Sequence, residues 1–252
     1  MTLRKRLIAL SMVAACAATS FAGAAFTDQS DIKVDDYVLT RMQELNIIKG
    51  YEDGSFKPNK IVTRAEMAKM IYVLRNGHDD ASLYTNKFDS AFTDINDSWA
   101  KVYIEYCEAH QFVRGRTTTK YCPNEPVTTV EAARMLLLEL RYSPQFLAGR
   151  EWKDTVMEKA ENIGLLNGVA VGQDDPLPRQ YAAQLIYNAI DTPTVVWRDD
   201  AYTSVTLLGD DNQTVGEKYM SLKKSTSTLT NVVKTNGQGH LHRNSGLHRV
   251  CC

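Results

Sequence analysis

Gly50-Tyr-Glu-Asp-Gly-Ser-Phe-Lys-Pro58, followed after three residues by Val62-Thr-Arg-Ala-Glu66, is the stretch on which the fold reading turns. Its first part reads as a turn. Asp53-Gly54 is a common turn pair, and Gly50 and Gly54 are expected to supply positive φ angles that side chains disfavour. Its second part opens an amphipathic helix. Thr63 and Glu66 have the spacing of a capping box, in which the hydroxyl takes the N3 amide and the carboxylate reaches back to the N-cap amide. Thr128 and Glu131 repeat that spacing.

The glycine before the turn serves as a ruler for an internal repeat. Gly50, Gly115 and Gly168 each follow an apolar pair: Ile47-Ile48, Phe112-Val113 and Leu165-Leu166. Sixteen residues before them stand Val34, Trp99 and Trp152; twelve before, Val38, Tyr103 and Val156; eight before, Met42, Cys107 and Ala160. Steps of four mark one apolar face of a helix. Beyond the turn, Arg64, Thr129 and Arg179 occupy one slot, and behind them Ala68, Ile71 and Tyr72, then Ala133, Leu136 and Leu137, then Ala183, Ile186 and Tyr187 recur at helical spacing. The expectation is a mainly α chain of three helix–turn–helix repeats. One such helix pair cannot bury its own apolar face, so the three pack together as a pseudo-three-fold bundle. Phe56, Trp99 and Trp152 are expected to bury their rings in it. The repeats read as residues 26–77, 91–144 and 145–193, with a polar linker at 78–90.

The two ends differ from this pattern. Residues 1–25 carry Arg4-Lys-Arg6, then an apolar run from Leu7 to Ala18 and a small-residue Ala22-Gly-Ala24, the anatomy of a secretory signal. Val13-Ala-Ala-Cys16 also fits a loose lipoprotein box, although the residues after it read better as more signal peptide. Without that stretch, 26 basic residues face 30 acidic ones, a balance that argues against nucleic acid as the partner. No later apolar run is long enough to span a bilayer. Residues 194–234 alternate β-branched and polar positions and read as a partial β-rich extension. Residues 235–252 lack any period and read as a disordered tail, fitting the truncated or frame-shifted end of a longer protein. Their His240, His242, His248, Cys251 and Cys252 could in principle bind metal, the alternative to the tail reading. Cys107 and Cys122 fit either a disulfide of an exported protein or two small buried hydrophobes.

With Phe26-Thr-Asp28, Gly50 to Pro58 and Thr63-Arg-Ala-Glu66, the chain resembles the S-layer homology domain, found in sets of three in exported bacterial proteins. The second repeat keeps Phe92-Thr-Asp94, Trp99 and Gly115 but has Thr128-Thr-Val-Glu131 in place of Thr-Arg-Ala-Glu. The third keeps Trp152, Gly168 and Arg179 and lacks the Phe-x-Asp opening. The resemblance implies a bundle that binds a secondary cell-wall polysaccharide and holds its protein at the cell wall, with other envelope proteins as further partners. It implies no catalytic residues and no cofactor.

Arg64 and Arg179 stand out on electrostatic grounds. A cation at the first position of a helix sits beside the positive end of the macrodipole, at a cost of roughly 0.3–1 kcal/mol. An anion shared between the guanidinium and the free helix N–H groups would explain it; a salt bridge to Asp28 is the competing explanation. The candidate ligand residues are thus Arg64 and Arg179, with Thr63, Glu66, Asp28, Asp94, Tyr51 and Trp99 around them. On this argument Thr129 weakens the groove of the second repeat. No nucleophile elbow, zinc-protease helix or phosphate loop is present, and Asp94-Ile-Asn-Asp97 lacks the glycine and closing Glu of a calcium loop. A structural or protein-interaction module that has lost the sugar is the alternative, and an exported hydrolase with an unrecognised carboxylate pair is the third reading.

Overall fold

The structure, a computed structural model, describes residues 26–198, 201–204, 213–224 and 247–249. The signal-like residues 1–25 and the tail apart from 247–249 lie outside the described residues. Six helices carry the repeats: α1 (Asp36–Glu44) and α2 (Arg64–Asn76), α3 (Lys101–Ala109) and α4 (Thr129–Glu139), α5 (Trp152–Asn162) and α6 (Arg179–Ile190). The second helix of each pair faces the centre. Ala68, Ile71, Ala133, Leu136, Ala183 and Ile186 are all fully buried there, as the helical spacing requires. The first helices lie outside and pack on the preceding repeat: α3 against α2, α5 against α4, and α1 closing the ring against α6.

The three-fold relation is explicit in the backbone. Val62, Val127 and Leu177 stand two residues before α2, α4 and α6, and they bond in a closed triangle. Val62 N donates to Leu177 O at 3.0 Å, Leu177 N to Val127 O at 2.9 Å, and Val127 N to Val62 O at 3.0 Å. The first amides of each inner helix also leave their own repeat. Arg64 N donates to Glu125 O, Thr129 N to Asp175 O and Arg179 N to Lys60 O, at 2.9, 3.2 and 2.9 Å. Ala65, Val130 and Gln180 do the same one residue on, to Pro123, Gln173 and Pro58. Helix N-termini leave their first N–H groups without intrahelical partners; here the neighbouring repeat supplies the carbonyls. Burial of the apolar stripes and satisfaction of these donors therefore require all three repeats together.

Both capping boxes form, Thr63 with Glu66 and Thr128 with Glu131. α6 starts behind Pro178 with no side-chain cap. Gly54 has the expected positive φ of 77°. Gly50 does not: its role is close approach, since a Cβ there would lie 2.8 Å from the Phe26 ring. Phe56 is fully buried and Trp152 half-buried, whereas Trp99 is 60% exposed, against expectation. Trp99 stands two residues before α3, the place that the buried Val34 holds before α1, and its larger ring is left mostly in solvent. Cys107 and Cys122 are free thiols; Cys107 is buried and points at Ala68 O at 3.4 Å.

After α6 the chain forms an antiparallel pair of β1 (Val195–Arg198) with β2 (Ala201–Ser204), then α7 (Val215–Tyr219), then β3 (Leu222–Lys224) paired with β4 (Leu247–Arg249). Part of the stretch read as an aperiodic tail is thus a strand.

Candidate ligand groove

Arg64 leaves α2 and crosses into the second repeat. Its Nε donates to Tyr121 O at 2.9 Å and its Nη2 to Arg114 O at 2.5 Å. The guanidinium lies 4.5 Å from the Tyr121 ring and 3.7 Å from Glu131, and the residue is 5% exposed. Arg179 repeats the arrangement from the third repeat into the first. Its Nε donates to Phe56 O at 3.1 Å and its Nη2 to Lys49 O. Burial lowers the Arg179 pKa from its ordinary value. The two acceptor pairs are equivalent, since Tyr121 and Arg114 lie 65 residues after Phe56 and Lys49. Each arginine clamps the two carbonyls that bracket the next repeat's glycine turn. The structure thus gives both arginines protein partners, and the N–H groups beside them, invoked above for an anion, are taken by carbonyls. In the third slot Thr129 is fully buried and its Oγ1 has no partner.

The other predicted residues hold the same framework. Asp28 makes no pair with Arg64; it accepts from Phe56 N at 2.9 Å and Lys57 N at 2.8 Å. Asp94 accepts identically from Tyr121 N and Cys122 N, at 2.9 and 2.8 Å. Burial opposes its charge, but these amide bonds prevail and hold its carboxyl below the ordinary value. Tyr51 is half-exposed, with Lys57 Nζ 4.1 Å from its ring and the Arg179 guanidinium at 5.1 Å. Glu66, besides capping, binds Lys60 Nζ at 2.5 Å. Trp99 meets Tyr103 edge-on at 6.3 Å. Arg64, Thr63 and Glu66 are neighbours on α2; Asp94 and Trp99 lie on the second repeat, and Arg179 with Tyr51 and Asp28 on the first repeat's turn.

Between the second and third repeats opens a groove of about 650 Å³, with Arg64 in its wall beside Arg114, Arg116, Glu131, Arg134 and Trp152. Arg134 was not foreseen. It comes from α4, is 7% exposed, and donates through Nε to Leu147 O at 3.0 Å, while its Nη2 has no hydrogen-bond partner. Burial and the neighbouring Arg114 bring its pKa down to about 10. Among the described residues, neither Arg114 nor Arg134 has an ion-pair partner, whereas Arg116 bonds Glu125 and Glu131. The equivalent pair one repeat earlier, Lys49 and Lys69, shares Asp79 at 3.4 and 3.6 Å. The signal was available in sequence: Lys69 and Arg134 also differ by 65, a cation recurring on one helix face.

Among the described residues no group of three or more His, Cys, Asp or Glu side chains is arranged to hold a metal. Among the described residues no helix is long and apolar enough to cross a membrane.

Comparison with known proteins agrees with the repeat reading. The family model for the S-layer homology domain matches residues 25–68 and 91–133. A surface layer protein of Brevibacillus choshinensis is 26% identical over 148 residues, covering 58% of this chain and 12% of the relative. A cellulosome-anchoring protein of Acetivibrio thermocellus is 27% identical over 129 residues, 51% of this chain and 29% of that one. An amylopullulanase of Thermoanaerobacterium thermosulfurigenes is 33% identical over 89 residues, 32% of this chain and 5% of the enzyme. The chain thus spans less than a third of the length of each of these relatives. Its first two repeats are thus similar to the S-layer homology domain.

Proposed function

We propose that the chain is a non-catalytic anchor, exported to the cell surface, that holds protein to the cell wall by taking an anionic wall polysaccharide in the groove between its second and third repeats. The observation that carries this reading is the pair Arg114 and Arg134, neither in an ion pair among the described residues, lining a groove of about 650 Å³. A guanidinium fork suits the carboxylate or phosphate groups of such a polymer. Arg116 and Glu131 edge the same groove, Trp152 offers a ring to a sugar face, and Arg64 keeps the groove wall in place. The names of the surface layer and cellulosome-anchoring relatives support an anchoring role. The amylopullulanase likeness shows such repeats also accompanying catalytic domains, so the proposal of no catalysis concerns this chain alone.

A second reading, a protein-interaction module without sugar binding, is favoured by one fact. The signature residues Arg64, Arg179, Asp28 and Asp94 all bond backbone of the bundle itself. Sedimentation with intact walls and with walls stripped of their anionic polymer separates the two. Loss of binding on stripping supports the sugar site; equal binding to both overturns it.

A further inference from the structure

The far end of the bundle holds a buried charge pair beneath the C-terminal extension. Glu139, in the last turn of α4, is 0% exposed. Its Oε1 accepts from Arg75 Nη1 at 3.2 Å, while Oε2 has no partner. The Arg75 guanidinium lies 3.9 Å from the Tyr219 ring of α7 and 5.3 Å from the Phe112 ring. The extension is tied to the C-terminal ends of the inner helices. Val195 N donates to Leu140 O just past α4, at 3.0 Å, and Val215 N to Thr192 O just past α6, at 3.1 Å, while α7 packs on α2. Thr214 and Glu217 give α7 a capping box of its own.

We propose that the described segments 193–198 and 213–222 act as a proton-coupled strap, whose seating over the end of the bundle takes up a proton on Glu139. A buried carboxylate with one bonded and one orphaned oxygen is costly to keep charged. Water reaches it when the strap lifts, and there it ionises in the ordinary range. With the strap seated, burial pushes the carboxyl up to about 7, against the pull of Arg75, Lys218 and Arg141. The groups facing it are Arg75 from α2, Cys107 from α3, Arg141 beyond α4, and Lys218 and Tyr219 from α7. The cysteine and tyrosine remain neutral, their own values raised first by burial. A raised acid value stabilises the seated state most at low pH. That stabilisation is lost as pH climbs from the ordinary carboxylate range to about 7, and is level above it. The strap therefore holds tighter in acid and loosens towards neutrality.

Amide hydrogen exchange at Val215 and Met220 in the full chain, corrected for intrinsic rate, tests this. Protection is expected to fall about tenfold per pH unit between about pH 5 and 7, one proton being taken up on seating. In Glu139→Gln it is expected to be independent of pH. A flat wild-type profile, or a slope retained in the variant, overturns the strap. Should Glu139→Gln not fold, carbon-13 titration of Glu139 in the wild type decides: a midpoint near 7 supports the proposal, and one in the ordinary carboxylate range overturns it.

Discussion

Arg64 and Tyr121 hold each other twice across the boundary between the first two repeats. The Arg64 guanidinium donates to the Tyr121 carbonyl at 2.9 Å, and the Tyr121 hydroxyl donates back to the Arg64 carbonyl at 2.9 Å. Both residues are buried, and the ring lies 4.5 Å from the guanidinium. The arginine that the helix dipole disfavours is therefore chosen by the neighbouring repeat.

Arg64→Ala removes a charged donor from two carbonyls and leaves a void. A loss of about 2–4 kcal/mol is expected in urea unfolding, beyond the roughly 1 kcal/mol for Tyr121→Phe. Each bond ends on a backbone carbonyl that the other substitution keeps, so the double variant should lose about the sum, within roughly 0.5 kcal/mol. A double variant no less stable than Arg64→Ala alone would contradict a second, separate bond from Tyr121.

Thr129 carries the opposite lesson. Its hydroxyl is buried without a partner, in the slot where the other repeats have arginine. Thr129→Val keeps the shape and removes the orphaned group, so the urea midpoint should rise, by about 1 kcal/mol in stability. A lower midpoint would mean that the hydroxyl is satisfied in solution.

Asp94 ties the opening of the second repeat to its turn through two amide bonds, and they hold its carboxyl below the ordinary value. Its contribution is present above the ordinary aspartate range and is lost as pH falls through the depressed folded value. Asp94→Asn should cost about 1 kcal/mol near pH 7, because one amide oxygen replaces two acceptors on a partly wet site. The difference from wild type should shrink as the pH is taken from 7 to below the depressed folded value. Unfolding curves at the two pH values check the sign.

Much of this architecture was legible because its signals are local. The glycine ruler found the helix pairs, and the capping boxes followed from the spacing of Thr63 to Glu66 and Thr128 to Glu131. What escaped was the traffic between repeats. Arg64 is bonded 50 and 57 residues away, and Arg179 reaches 123 residues to Phe56 O. No periodicity within one helix reports such partners. Macrodipole reasoning therefore assigned Arg64 an anion that the packing does not require. Gly50 was read as a conformational glycine when a ring lies against it, and Trp99 as core when its ring is left mostly in solvent. Arg134 was visible as the counterpart of Lys69. Its lack of a carboxylate, set against Asp79 in the first repeat, required the structure.

In the proposed groove Arg134 and Arg114 hold the anion, and titration calorimetry with a purified anionic wall polymer is the test of that pairing. Arg134→Gln should weaken binding about tenfold or more at low salt and flatten its salt dependence, while Arg179→Gln, in the other arginine slot, should bind as wild type whenever it is folded. Unchanged affinity and salt dependence in folded Arg134→Gln would contradict the account.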